Sequence, residues 1–212
     1  MFMHLSRSVV VVLAIVSAFT VVATPVAAQQ LPAPPAPVAV SLDPATTALL
    51  VLDVTTQTCS PQPNCMAMVP RIALLLDAAR VAGVFVLYST PATQPPILPE
   101  VAPVAGDPMI VGVAQDRFFE TPLDVVLRGR GITRLILVGW RYDGSVLYTA
   151  VGGAIRTYTV VVPDDTTSAA QDYDLAVGRF QLLTQLNSNP TNEALKKAAA
   201  TITRADLITF QP

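Results

Sequence analysis

The stretch RLILVGWRYDGSVLYTA, residues 134–150, joins an apolar run to an amphipathic one across a single glycine. Arg134–Val138 reads as a buried strand that Gly139 breaks. From about Ser145, the residues Val146, Leu147, Ala150 and Val151 recur at helical spacing. A strand that turns at once into a helix sets its turn at the carboxyl edge of an α/β sheet, where open sheets hold ligands. The same alternation runs outward in both directions. Upstream, TALLVLDV (47–54) reads as a strand. MAMVPRIALLLDAARVAG (66–83) reads as a helix, with Ile72, Leu75, Leu76 and Ala79 on one face and Gly83 as its stop. VFVLYS (84–89) and the weaker MIVGV (109–113) read as strands. ETPLDVVLRGRG (120–131) reads as a helix with Thr121 as N-cap, Pro122 at its first position and Gly131 as its end. Downstream come the strand TYTVVVPDD (157–165), helical segments near Tyr173–Leu186 and Thr191–Thr201, and a short DLITF (206–210). Strands alternating with helices make parallel βαβ units, so the fold class is a three-layer α/β/α, doubly wound sheet. Residues 90–108, TPATQPPILPEVAPVAGDP, are too proline-rich for regular structure and read as a long loop of the kind that serves as a lid or binding segment.

Composition bounds the function classes. The 212 residues are 52% hydrophobic and 13% charged with a net charge of −2, which leaves no basic field for nucleic acid. A short basic start, an apolar run from Ser8 to Val26 and small residues around Ala28 read as a signal peptide over residues 1–28. The mature protein is therefore expected outside the cytoplasm, with a membrane tether only if that segment is left uncut. Residues 29–45, which include LPAPPAP (31–37), read as a stiff spacer with no reason to pack, and 46–212 as one domain. Cys59 and Cys65 are the two cysteines, and in an exported chain they read as a disulfide closing a short loop.

Two shortages restrict the chemistry. The one histidine is His4, inside the signal segment, so the mature domain has no histidine for a triad or a metal. The only lysines are Lys196 and Lys197, near the end of the chain. GRGITR (129–134) follows a helix and precedes a strand, the wrong order for a dinucleotide loop. Asp164–Asp165 reads as a strand-end turn whose carboxylates diverge, and Gly152–Gly153 as close helix packing. No cofactor and no metal are called for.

Asp53 ends the first strand. Apolar walls disfavour a charge there, so it is a candidate proton carrier, or else a carboxylate capping nearby backbone N–H groups. Trp140, Tyr142 and Tyr88 either line a pocket or pack in the core. Arg117 and Arg141 offer a cation to an anionic ligand, Arg141 alternatively forming a surface pair with Asp143.

Taken together, TALLVLDV, the F-x-x-T-x-L-D pattern at Phe118–Asp124, the G-x6-V-x-x-T-A pattern from Gly139 through Val146 to Thr149–Ala150, and VVVPDDTTSA resemble the isochorismatase-like, or cysteine hydrolase, family from about Thr47 to Ser168. The resemblance implies a mainly parallel six-stranded sheet between helices, often in a homo-oligomer, and a small-molecule substrate or ligand. It also implies an Asp, a Lys and a Cys that together break a C–N or C–O bond. Asp53 matches the first. The Cys position falls on Ser145, and the Lys position on Gln115 or on Gly112, depending on alignment. Thr55 stands where the family often has Gln. A serine hydroxyl needs a stronger positioned base than a thiol does, so the resemblance implies either an atypical hydrolase or a binding protein that has lost catalysis. Family members that cleave a vinyl ether need only a proton donor, and a buried Asp53 with no lysine beside it suits that role.

Overall fold

The computed structural model describes residues 33–184 and 187–212. The expected signal segment lies outside them, as do Gln185 and Leu186. Nine strands and five α-helices are described in chain order. They are β1 Val40–Leu42, β2 Thr47–Leu52, α1 Pro63–Met66, α2 Val69–Val81, β3 Phe85–Pro91, β4 Met109–Gly112, α3 Leu123–Arg128, β5 Arg134–Trp140, α4 Leu147–Ile155, β6 Thr159–Pro163, β7 Thr167–Ser168, α5 Asp172–Thr184, β8 Ala200–Thr203 and β9 Ile208–Phe210.

The main sheet runs in the order β4-β3-β2-β5-β6-β8, with the two-residue β7 beside the end of β5. Every pair in it is parallel. Strands buried on both faces explain the near-continuous Val/Leu/Ile runs. Alternate residues go to opposite layers. Leu50, Leu52, Leu135 and Leu137 pack with Leu123 and Leu127 of α3, Ala150 of α4 and Leu182 of α5. Leu49, Val51, Ile136 and Val138 pack instead with Ile72, Leu75, Leu76 and Ala79 of α2. The doubly wound three-layer reading therefore holds.

The chain winds from β2 to β3 and β4 on one side, and from β5 to β6 and β8 on the other. β2 and β5 thus flank the switch in winding direction, and the crevice beyond their carboxyl ends is where such a sheet can seat chemistry. They approach closely there. Gly139 has φ +123°, and a Cβ on it would lie 2.1 Å from Leu52 O, so only glycine fits.

Three expectations need correction. The segment Thr191–Thr201 is not a helix. Asn192, Leu195 and Ala198 take left-handed φ, and residues 200–203 form β8 on β6. Asn192 Oδ1 accepts from Ile202 N at 2.8 Å, while its Nδ2 donates to Ile202 O at 2.8 Å. Side-chain bonds of this kind replace helical ones, and helix propensity loses to them. The spacer ends earlier than residue 45, because Val38 N donates to Ile202 O and β1 pairs in parallel with β9, burying Val40 and Leu42. The 90–108 segment is less irregular than its prolines suggest. β3 continues to Pro91, Thr55 bridges Ile97 antiparallel, and Leu98 N donates to Val54 O at 3.0 Å. The segment is thereby tied to the residues after Asp53.

Candidate active site

β2 delivers Asp53 to the crevice in a left-handed conformation, φ 56°. Non-glycine residues seldom adopt it without surrounding support. That support is local. Asp53 N donates to Ser89 O, while the Asp53 carbonyl accepts from Thr55 N and from Thr58 Oγ1. Thr55, wholly buried, shares a 2.8 Å hydrogen bond with Thr58, so it braces the turn. Cys59 and Cys65 form the expected disulfide immediately beyond, with Cα atoms 5.2 Å apart.

β5 delivers the second group. After the cis Trp140–Arg141 bond, one π-helical turn over Tyr142–Val146 leads into α4 and carries Ser145. Ser145 Oγ donates to Asp53 Oδ2. The side chains of residues 53 and 145, 92 positions apart in sequence, therefore meet at the switch point.

A third group joins them. The Arg117 guanidinium donates through Nη2 to both Asp53 Oδ2 and Ser145 Oγ, the latter at 2.9 Å, and through Nη1 to Ala114 O. Ser89 Oγ donates to the other carboxylate oxygen at 3.0 Å. Asp53, Arg117 and Ser145 are only 4%, 4% and 6% exposed. Arg117 is thus the cation of the site, built into it rather than held free for an anionic ligand. It also sets a guanidinium beside Asp53, where the proton-donor reading counts on the missing lysine leaving the acid alone. All donors around Asp53 point at it, the pattern of an acceptor carboxylate.

The F-x-x-T-x-L-D stretch fixes Arg117. Its backbone N donates to Thr149 Oγ1 at 3.1 Å, and its carbonyl accepts from Thr121 Oγ1. Phe118 stacks on Tyr158 with ring centroids 5.7 Å apart, and Asp124 accepts from the Tyr158 hydroxyl at 2.8 Å. Thr121 caps Leu123 N at 3.3 Å, so α3 begins one residue later than expected. Beside it, Asp116 packs so tightly on α4 that a Cβ on Gly152 would meet its Oδ1 at 2.5 Å.

The described part of the chain thus has the fold and the paired strand-end groups that the sequence patterns lead one to expect. The family model for the isochorismatase domain matches residues 47–192, most of the chain. The chain belongs to the isochorismatase family. It is 29% identical over 190 residues to the ureidoacrylate amidohydrolase RutB of Methylobacterium radiotolerans, covering 66% of this chain and 73% of that protein. It is 31% identical over 114 residues to the secreted isochorismatase effector Isc1 of Verticillium dahliae, covering 48% of this chain and 60% of the effector. The N-carbamoylsarcosine amidase of Thermoplasma acidophilum shares the fold at a TM-score of 0.63 and 22% identity, over 76% of this chain and 97% of the amidase. A cysteine hydrolase from Pseudomonas syringae does so at a TM-score of 0.67 and 22% identity, over 81% of this chain and 94% of its own.

The remaining sequence candidates lie elsewhere. Gln115, one of the two lysine-register positions, has an exposed side chain, and it is its backbone carbonyl that accepts from Thr149 Oγ1 at 3.3 Å. Trp140 packs in the layer of α2 with Cys59, Cys65 and Met68. Tyr142 is wholly buried in the opposite layer beside Arg179, and burial pushes its hydroxyl well above the ordinary tyrosine range. Arg141 forms the surface pair with Asp143, a hydrogen bond that raises its own pKa further. Tyr88 is core, its hydroxyl accepting from Arg80 at 3.0 Å. Among the described residues no cluster of His, Cys, Asp or Glu has the form of a metal site, and no helix is long and apolar enough to cross a membrane. Sequence reading missed Ser89 and the clamping role of Thr149. The latter had a signal, the T-A of the G-x6-V-x-x-T-A pattern.

Proposed function

We propose that this member of the family is an exported hydrolase of a C–N or C–O bond in a small molecule. Ser145 stands as its attacking group and Asp53 as its proton acceptor. The Ser145–Asp53 hydrogen bond carries the reading. In the step it supports, Ser145 Oγ bonds to a carbonyl carbon while its proton passes to Asp53 Oδ2. The proton then returns to the departing nitrogen or oxygen, and water cleaves the acyl-serine. Arg117 Nη2 donates to Ser145 Oγ at 2.9 Å and so eases the loss of the hydroxyl proton, but a guanidinium relays no proton itself. The missing thiol makes the reaction slow, because a hydroxyl must be deprotonated in the transition state itself. Export rests on the basic, apolar and small-residue order of the first 28 residues, and the Cys59–Cys65 disulfide agrees with it.

A second reading, a protein that binds a small molecule without turning it over, is favoured by one observation: the three groups satisfy one another while buried. The mature protein, Asp53→Ala and Ser145→Ala are assayed on small amides, nitriles and vinyl ethers, with mass spectrometry for an acyl adduct. Turnover abolished by either substitution, with the adduct on Ser145, is the expected result. Turnover that survives both removes the mechanism, and ligand-dependent thermal shifts without turnover establish the second reading.

A further inference from the structure

The cation of this site arrives by an unusual route. β4 ends at Gly112, one of the two positions onto which the family's lysine register falls. A Cβ on Gly112 would lie 1.9 Å from Arg117 Nη1 and 2.8 Å from its Cδ and Cζ. Gly112 lies in β4 and does not have a positive φ, so a left-handed backbone is not what calls for glycine. Space alone demands glycine there. The atoms in that space belong to the one side chain that neutralises Asp53. Arg117 is held along its length: its nitrogens hold Asp53, Ser145 and Ala114, its backbone is fastened by Thr149 and Thr121, and its Nε is buried without a partner.

We infer that Gly112 is a positioning residue, an emptied side-chain site through which Arg117, five positions downstream, threads to Asp53 and Ser145 as the permanent cation of the centre. A guanidinium and an ammonium differ as partners for a carboxylate, since a lysine side chain loses its proton at alkaline pH. The inference goes beyond the proposed hydrolysis and does not depend on turnover.

The test is a double-mutant cycle read by urea unfolding of the mature protein, with no substrate present. Gly112→Ala is expected to lower the folding equilibrium constant about 10- to 100-fold when Arg117 is present, by displacing the guanidinium from Asp53. In the Arg117→Ala background it is expected to change it less than about twofold, since the space is vacant. Equal losses in both backgrounds overturn the inference. Gly112→Lys with Arg117→Ala is the second variant, and it keeps the test open if Arg117→Ala alone does not fold. A lysine from position 112 is expected to recover soluble, cooperatively unfolding protein whose stability falls above about pH 10 more steeply than that of the natural protein, in which buried tyrosines already cost stability there. A double variant no better folded than Arg117→Ala overturns the inference as well. Turnover without coupling at 112 and 117 would leave the hydrolase reading standing and sink this one. Coupling without turnover would do the reverse.

Discussion

Two carboxylates end strands of the same sheet, and each meets an arginine, yet the two pairs do different work. Asp164, after β6, is gripped by Arg179 of α5 in fork geometry, Nε to Oδ1 at 2.7 Å and Nη2 to Oδ2. Each group there spends its best donors and acceptors on the other, which ties α5 to the sheet edge and leaves nothing reactive. Asp53 takes only one nitrogen of Arg117. Its remaining capacity goes to two hydroxyls, Ser89 and Ser145, and the same nitrogen also reaches Ser145. An arginine that saturates its carboxylate makes a brace. An arginine shared between a carboxylate and a hydroxyl makes a centre in which a proton has somewhere to go. Burial sharpens the contrast, since the Asp53–Arg117 side chains are 6% and 5% exposed, against 19% and 23% for Asp164–Arg179.

Arg117→Ala is the strongest way to press that difference. It strands a buried carboxylate, and a loss of about 3–5 kcal/mol in urea unfolding is expected. A loss under 1 kcal/mol would show that the centre is far wetter than its burial indicates. Arg179→Ala should cost less, roughly 1–2 kcal/mol, between the buried and exposed limits for ion pairs. It should leave turnover within about twofold, whereas a catalytic defect without a stability loss would erase the distinction between brace and centre. Arg141→Ala removes an exposed pair whose arginine is 44% open to solvent, and about 0.5 kcal/mol or less is expected, falling further in salt. The smallest effect belongs to Asp124. Burial pushes its carboxyl up, but the hydrogen bonds from Tyr158 and Arg128 outweigh that and hold it below the usual carboxylate range. A depressed folded-state value means stability present above about pH 4 and lost as pH falls through the folded value. Because the side chain is 36% exposed, only about 0.3 kcal/mol is at stake after solvent screening. Asp124→Asn should therefore flatten the acid limb slightly in unfolding curves taken from pH 6 to pH 2.5.

Much of this molecule was legible before any coordinates. The helix face of Ile72, Leu75, Leu76 and Ala79 is buried as its spacing requires, and the strands fall where apolar runs lie between turn residues. Asp53 was readable as the residue just past a strand end, and Ser145 through the family resemblance of the G-x6-V-x-x-T-A pattern. The failures have a common cause. TNEALKKAAATIT has helix-forming composition, yet pairing with β6 and the amide side chains of Asn189 and Asn192 decide its shape. Gln115 and Arg117 are two residues apart in a loop, where periodicity says nothing about direction, and only one of them turns inward.

The linear pattern by itself determined the alternation of strands and helices, the doubly wound sheet and an acid at the end of a buried strand, because burial periodicity and turn chemistry are local properties; the hydroxyl at 145 came from the family resemblance. Tertiary structure alone decided which cation serves the acid and why residue 112 is a glycine. Those answers depend on the space left between segments that meet only after folding, and a vacancy of one Cβ leaves no trace in local sequence.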